Sequence, residues 1–114
     1  MGRRDLGPNE GMIFPADKPQ RLSFWMRNTP IPLDIGYFTA DGTLAEIYPM
    51  YAFDEKTVTS HSQSVQFSLE MNLGWFAANH VHPGDRLDLR ALAAAIRARG
   101  FDPKSLGLSG PSSP

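Results

Sequence analysis

The chain has 114 residues, 41% of them hydrophobic, with 11 Lys and Arg against 12 Asp and Glu for a formal net charge of −1. That length suits one domain around one core, and so small a charge supplies no global field to draw the molecule to nucleic acid or an anionic membrane. The lack of cysteine excludes disulfides and thiolate chemistry, while ten glycines and ten prolines imply short elements with frequent turns, the pattern of a β-rich fold.

The opening Met1-Gly2-Arg3-Arg4-Asp5 has no apolar stretch behind its arginines, so it does not read as a secretory signal. No later run approaches the ~20 apolar residues of a membrane span, and a soluble chain is expected. After an irregular first dozen residues, Met12-Ile13-Phe14 reads as a brief strand ended by Pro15, and Pro19 as a turn. Residues 21–27 alternate, with Leu22, Phe24 and Met26 to one side and Ser23, Trp25 and Arg27 to the other. An aromatic on the second face predicts a strand interior to the sheet. Two prolines exclude regular structure from Asn28-Thr29-Pro30-Ile31-Pro32.

A strand over 33–39 and its return over 44–48 form a hairpin about Asp41-Gly42, since glycine supplies the positive φ that a tight turn demands. Residues 51–63 are polar and aperiodic and read as a long loop. In 64–71, Val65, Phe67, Leu69 and Met71 alternate with Ser64, Gln66, Ser68 and Glu70, which predicts one covered face and one wetter face. Asn72 suits the N-cap of a short helix near 73–79, which Glu70 would help to cap. Pro83-Gly84-Asp85 is a turn before a short strand at 86–89. Leu89, Leu92, Ala93 and Ile96 recur at helical spacing, and a C-terminal helix near 90–99 ends at Gly100. Asp102-Pro103 could open one more turn. The predicted fold is mainly β, a compact antiparallel barrel or sandwich in a single domain over 1–108, with 109–114 a flexible tail.

The segment from Ser23 to Asp34 concentrates the chemistry: an aromatic, an amide, a hydroxyl and a carboxylate around a rigid double-proline turn. Asp34 lies between Leu33 and Ile35, so its carboxylate is expected near the core, where it must find donors. One reading makes it a brace that accepts the amides of Asn28 and Thr29. The other makes Trp25, Asn28, Thr29 and Asp34, with Glu70, the lining of a pocket for a small polar ligand. His80-Val81-His82 would put two imidazoles on one face of an extended segment, but no cysteine or nearby carboxylate completes a metal shell, and surface histidines are the simpler reading. His61 is expected to be solvated. No Gly-rich phosphate loop, Ser–His–Asp order or nucleophile elbow is present, and no cofactor or metal is indicated.

Phe24-Trp25-Met26-Arg27-Asn28-Thr29, one residue, then Ile31-Pro32-Leu33-Asp34 forms a distinctive string, accompanied by Gly11-Met12-Ile13-Phe14, Leu69-Glu70-Met71-Asn72-Leu73-Gly74 and Pro83-Gly84-Asp85-Arg86-Leu87. On these motifs, in this order, residues 2 to about 89 resemble the prokaryotic family called domain of unknown function 192. The resemblance implies a compact β-barrel or sandwich with little helix and no agreed activity. Many relatives are exported, and most carry a further strand before the point matched by Met1-Gly2.

Three functions follow as expectations. The first is a non-enzymatic binding module for a small polar ligand beside the 25–34 turn. The second is a small hydrolase, acting on a glycan or another polar substrate, with Asp34 and Glu70 as acid and base, which requires both carboxylates in one cleft. The third is a protein-interaction module that offers an open sheet edge to a partner or a second copy.

Overall fold

In a computed structural model the described residues are 10–98 and 106–107. The expected tail at 109–114, the helical turn at Asp102-Pro103 and the cap at Gly100 fall outside them. Eight elements run in the order β1 (Gly11–Gln20), β2 (Ser23–Phe24), β3 (Leu33–Thr39), β4 (Leu44–Met50), β5 (Val58–Thr59), β6 (Val65–Asn72), α1 (Trp75–Ala78) and α2 (Leu89–Ala98).

The main sheet is antiparallel with strand order β1-β6-β3-β4, and β2 pairs only with β5 in a second, two-stranded sheet. The expected β-rich fold is present as a layered sandwich. The sheet does not close into a barrel, because β1 and β4 remain its edges. β1 carries Pro15, Asp17, Lys18 and Pro19, residues that discourage addition of another strand.

The 21–27 segment differs from its expectation. Only Ser23–Phe24 is strand, and it lies above the main sheet instead of inside it. The 51–63 loop contributes Val58–Thr59 as its partner, and a Ser23–Thr59 hydroxyl contact of 2.8 Å joins the two. No helix among the described residues is long and apolar enough to cross a membrane.

Two apolar clusters flank the main sheet, where the sequence suggested a single core. Phe38, Leu44, Leu69 and Met71 face the helical side, with Trp75, Phe76, Val81, Leu87, Leu92 and Leu106 over them. Leu33, Ile35, Tyr37, Met50 and Val65 face the other side, beneath Leu22, Phe24 and Val58. Val65 joins this second cluster, off the alternation of its strand, because the register shifts between Phe38 and Thr39 and again between Pro15 and Gln20. The wetter face expected for β6 is therefore covered too.

The hairpin forms as read, with Gly42 at φ 87° and its N–H donating to the Thr39 carbonyl at 2.9 Å. Gly36 is required by packing: a Cβ there would stand 2.9 Å from a Phe76 ring carbon and 3.1 Å from a Leu44 methyl. Both neighbours are buried and cannot retreat into solvent. Gly36→Ala is therefore expected to cost about 2 kcal/mol, the usual scale of overpacking a dense core, as read from urea midpoints at constant slope.

Candidate functional site

Three connections converge where β3 begins and β4 and β6 end, since Leu33 pairs with both Met50 and Asn72. The 25–32 turn is anchored by Met26, which is buried and donates its N–H to the Asp54 carbonyl at 2.9 Å. The Thr29 carbonyl accepts the Phe53 N–H at 3.0 Å, and the Pro32 carbonyl accepts the Leu73 N–H at 3.3 Å. Backbone bonds thus tie 25–32 to 51–54 on one side and to the 73–74 turn on the other.

On this frame Trp25 is 43% exposed, with the Arg27 guanidinium carbon 5.5 Å from the centre of its ring. Tyr51 and Phe53 are still more open, Phe53 at 60%. Phe53 also holds φ at 61°, a left-handed conformation that costs a bulky residue of order 1 kcal/mol. Asn28 is exposed beside them, whereas Thr29 is buried.

Asp34 is 8% exposed and accepts the Gly74 N–H on Oδ2 at 2.8 Å. The expected brace is real but its donor is different. Thr29 gives its N–H to the Met26 carbonyl at 3.1 Å, so Asp34 fixes the entry to α1 and not the proline turn. Burial raises its carboxyl above the ordinary value, against the opposing pull of that amide. Neither Asn72 nor Glu70 caps α1, whose N-cap is Gly74 at φ 89°.

The register separates the two carboxylates. Asp34 lies opposite Met71, while Glu70 lies opposite Ile35. Directly opposed residues share a face and neighbours along a strand point apart, so Asp34 faces the helices and Glu70 faces the β2–β5 layer. The acid–base pair of the hydrolase expectation has no common cleft. Glu70 is fully buried, and among the described residues both of its oxygens, Ser68 Oγ and Thr29 Oγ1 lack hydrogen-bond partners. Burial pushes the Glu70 carboxyl up to about 7.

The histidine pair does not form an extended ligand arm. His80 is left-handed at φ 57°, Val81 enters the core, and His82 Nδ1 lies 3.5 Å from Asp85 Oδ2. No group of three or more His, Cys, Asp or Glu suited to a metal ion occurs among the described residues.

His61, exposed as expected, belongs to a cluster that sequence spacing does not reveal. Its Nδ1 lies 2.9 Å from the Tyr48 hydroxyl, which donates to Glu46 Oε1. Glu46 also accepts the backbone N–H groups of His61 and Ser62, each at 2.8 Å. Burial opposes ionisation of Glu46, but the Tyr48 hydroxyl and the two amides outweigh it and hold the carboxyl below its ordinary value. The same bond to Glu46, reinforced by burial, pushes the Tyr48 hydroxyl up to about 12.

A depressed carboxyl stabilises the fold above its unfolded value and loses that contribution as pH falls through the folded one. Glu46→Gln should accordingly cost about 1 kcal/mol near pH 7, with the difference from the parent shrinking in acid. Urea titrations at pH 7 and pH 3 check this.

A family model for DUF192, described as uncharacterized ACR, matches residues 1–89. The chain belongs to the DUF192 family. A Sinorhizobium meliloti protein, provisionally described as a transcription regulator, matches in structure with a TM-score of 0.72 and 34% identity, over 75% of this chain and 67% of that one. A protein of unknown function from Novosphingobium aromaticivorans matches with a TM-score of 0.70 and 38% identity, over 75% of this chain and 61% of that one. This DUF192 chain thus spans less than two thirds of the Novosphingobium protein. A search of curated proteins returns no match.

Proposed function

We propose that this DUF192 chain is a binding module for a small polar molecule with one flat apolar face, held at the sheet end by Trp25, Asn28, Asp34, Tyr51 and Phe53. The observation that carries this reading is Phe53, a large aromatic kept in a strained backbone conformation and yet open to solvent. The backbone at 53 ties the loop to the 25–32 turn, but the open ring buries little in return for the strain, which is the pattern of a side chain retained for contact with another molecule. Aromatic faces supply contact area at low entropic cost. Asn28, Arg27 and the exposed sliver of Asp34 supply polar selectivity, while Thr29 supports the turn from behind.

The opposed faces of Asp34 and Glu70 weigh against the hydrolase. The prolines and charges of β1 weigh against a partner strand. The regulator description of the Sinorhizobium relative invites a nucleic-acid reading, but a net charge of −1 supplies no global field toward phosphates in its favour.

Saturation-transfer difference NMR against neutral monosaccharides, nucleosides and aromatic amino acids tests the proposal. At least one class should receive saturation from the parent and lose it in the Phe53→Gly variant. Equal transfer to parent and variant, or none from any class, contradicts it.

A further inference from the structure

Two β-turns meet at the sheet end. Thr29 donates its N–H to the Met26 carbonyl at 3.1 Å, and Asp54 donates to the Tyr51 carbonyl at 3.1 Å, which makes Arg27–Asn28 and Ala52–Phe53 the turn corners. Two further bonds lock the turns together, from the Met26 N–H to the Asp54 carbonyl at 2.9 Å and from the Phe53 N–H to the Thr29 carbonyl at 3.0 Å. Backbone alone thus fixes the pair, and Arg27, Asn28 and Phe53 are left exposed at its corners. Trp25, Tyr51 and Phe53 stack on no other ring among the described residues.

Arg27 carries the only positive charge on the two turns. Its guanidinium carbon lies 5.5 Å from the centre of the Trp25 ring, within the range where the ring attracts a cation and restrains its long side chain. Among the described residues its N–H groups enter no ion pair and no hydrogen bond. The acids of this end are differently placed. Asp54 accepts the Lys56 N–H on Oδ1 at 2.9 Å, and Asp34 accepts the Gly74 N–H on Oδ2 at 2.8 Å. Each acid thus has an acceptor engaged by backbone, whereas the donors of the one cation are all unengaged.

Given the sheet-end site proposed above, on which this rests, we infer that the molecule it takes is an aromatic carboxylate, its ring against the exposed aromatics and its carboxylate on the fork of Arg27. A guanidinium matches a carboxylate through two parallel N–H bonds, which a point charge such as lysine cannot reproduce. A doubly charged phosphate would call for a second cation, and the two turns hold none. Of the three classes in the NMR panel, only the aromatic amino acids combine a flat ring with this anion.

Titration of the parent with phenylacetate and indoleacetate, each against its own primary amide, tests the inference. The amide keeps the ring and the shape and removes only the charge. At least one acid should bind about tenfold more tightly than its amide, the scale of a charge-assisted bond. Arg27→Gln should level acid and amide, and Arg27→Lys should restore only part of the preference. Equal affinity of acid and amide for the parent overturns the inference while leaving the aromatic site intact, and this comparison needs no variant. A preference for the acid that survives Arg27→Gln overturns it as well. Failure of both acids to bind also overturns it, and a neutral sugar or nucleoside that still receives saturation would then leave the wider reading standing.

Discussion

Glu70→Gln is expected to be about 3 kcal/mol more stable than the parent at pH 8 and nearly equal to it at pH 4. The Glu70 carboxyl is raised from 4.5 to about 7 because burial penalises its charged form. The folded state therefore holds the proton more tightly than the unfolded state. Below about pH 4.5 both states are protonated and burial of the charge costs nothing. Between 4.5 and 7 the parent loses about 1.4 kcal/mol per pH unit, and above 7 the loss levels off.

Tyr37, Glu46 and Tyr48 share that layer or its rim, but Tyr37 is itself pushed above its usual range, chiefly by burial, and Glu46 is held low, so neither titrates in this window. Tyr48, at about 12, is also outside it. Urea unfolding of parent and variant at a series of pH values measures the difference directly. A parent whose stability tracks that of Glu70→Gln from pH 4 to 8 would mean that the carboxyl is not desolvated.

The second large effect concerns binding. Trp25→Ala combined with Phe53→Gly should weaken the dissociation constant of whichever molecule the NMR panel selects by roughly thirtyfold to 150-fold, since each stacked aromatic contributes about 1–1.5 kcal/mol. Stability should scarcely change. Glycine relieves the left-handed backbone at position 53, and neither side chain belongs to the buried clusters. Isothermal titration gives the first quantity and urea midpoints the second. Unfolding of the double variant would assign both aromatics to the fold, and an unchanged affinity would remove them from the site.

The long alternating strands and the hairpin were legible in the sequence because their signals are local: the period of β6, and Asp41-Gly42 between two apolar runs. The second layer was not legible. β2 and β5 are two residues each, too short to carry a period, and their pairing joins positions 23–24 with 58–59 across about a third of the chain. That omission made Ser68 and Glu70 look like the wet side of β6 when they are fully buried.

Trp25, Asn28, Thr29 and Asp34 were singled out by the density of chemistry around a double-proline turn; that turn leads into β3 at one sheet end, but it packs over one cluster through Met26 and Ile31 while Asp34 faces the helices. Glu70 was joined to them as a second carboxylate for Asp34, with no spacing to set their distance, and the register sends it to the other face. Tyr51 and Phe53 escaped notice because aromatics in a polar, aperiodic stretch give no hint of facing outward. The donor to Asp34 comes from forty residues away, a distance over which spacing arguments carry no information.

The most direct measurement is amide and indole chemical-shift mapping of the 15N-labelled protein, titrated with the strongest binder of the panel. The Trp25 indole and the amides of Asn28, Phe53 and Gly74 should shift together along one saturation curve, while the β1 edge and α2 stay still. Shifts centred on β1 or α2, with the amides of the 25–32, 51–54 and 73–74 segments unmoved, would show that the sheet end is not where this protein meets its ligand.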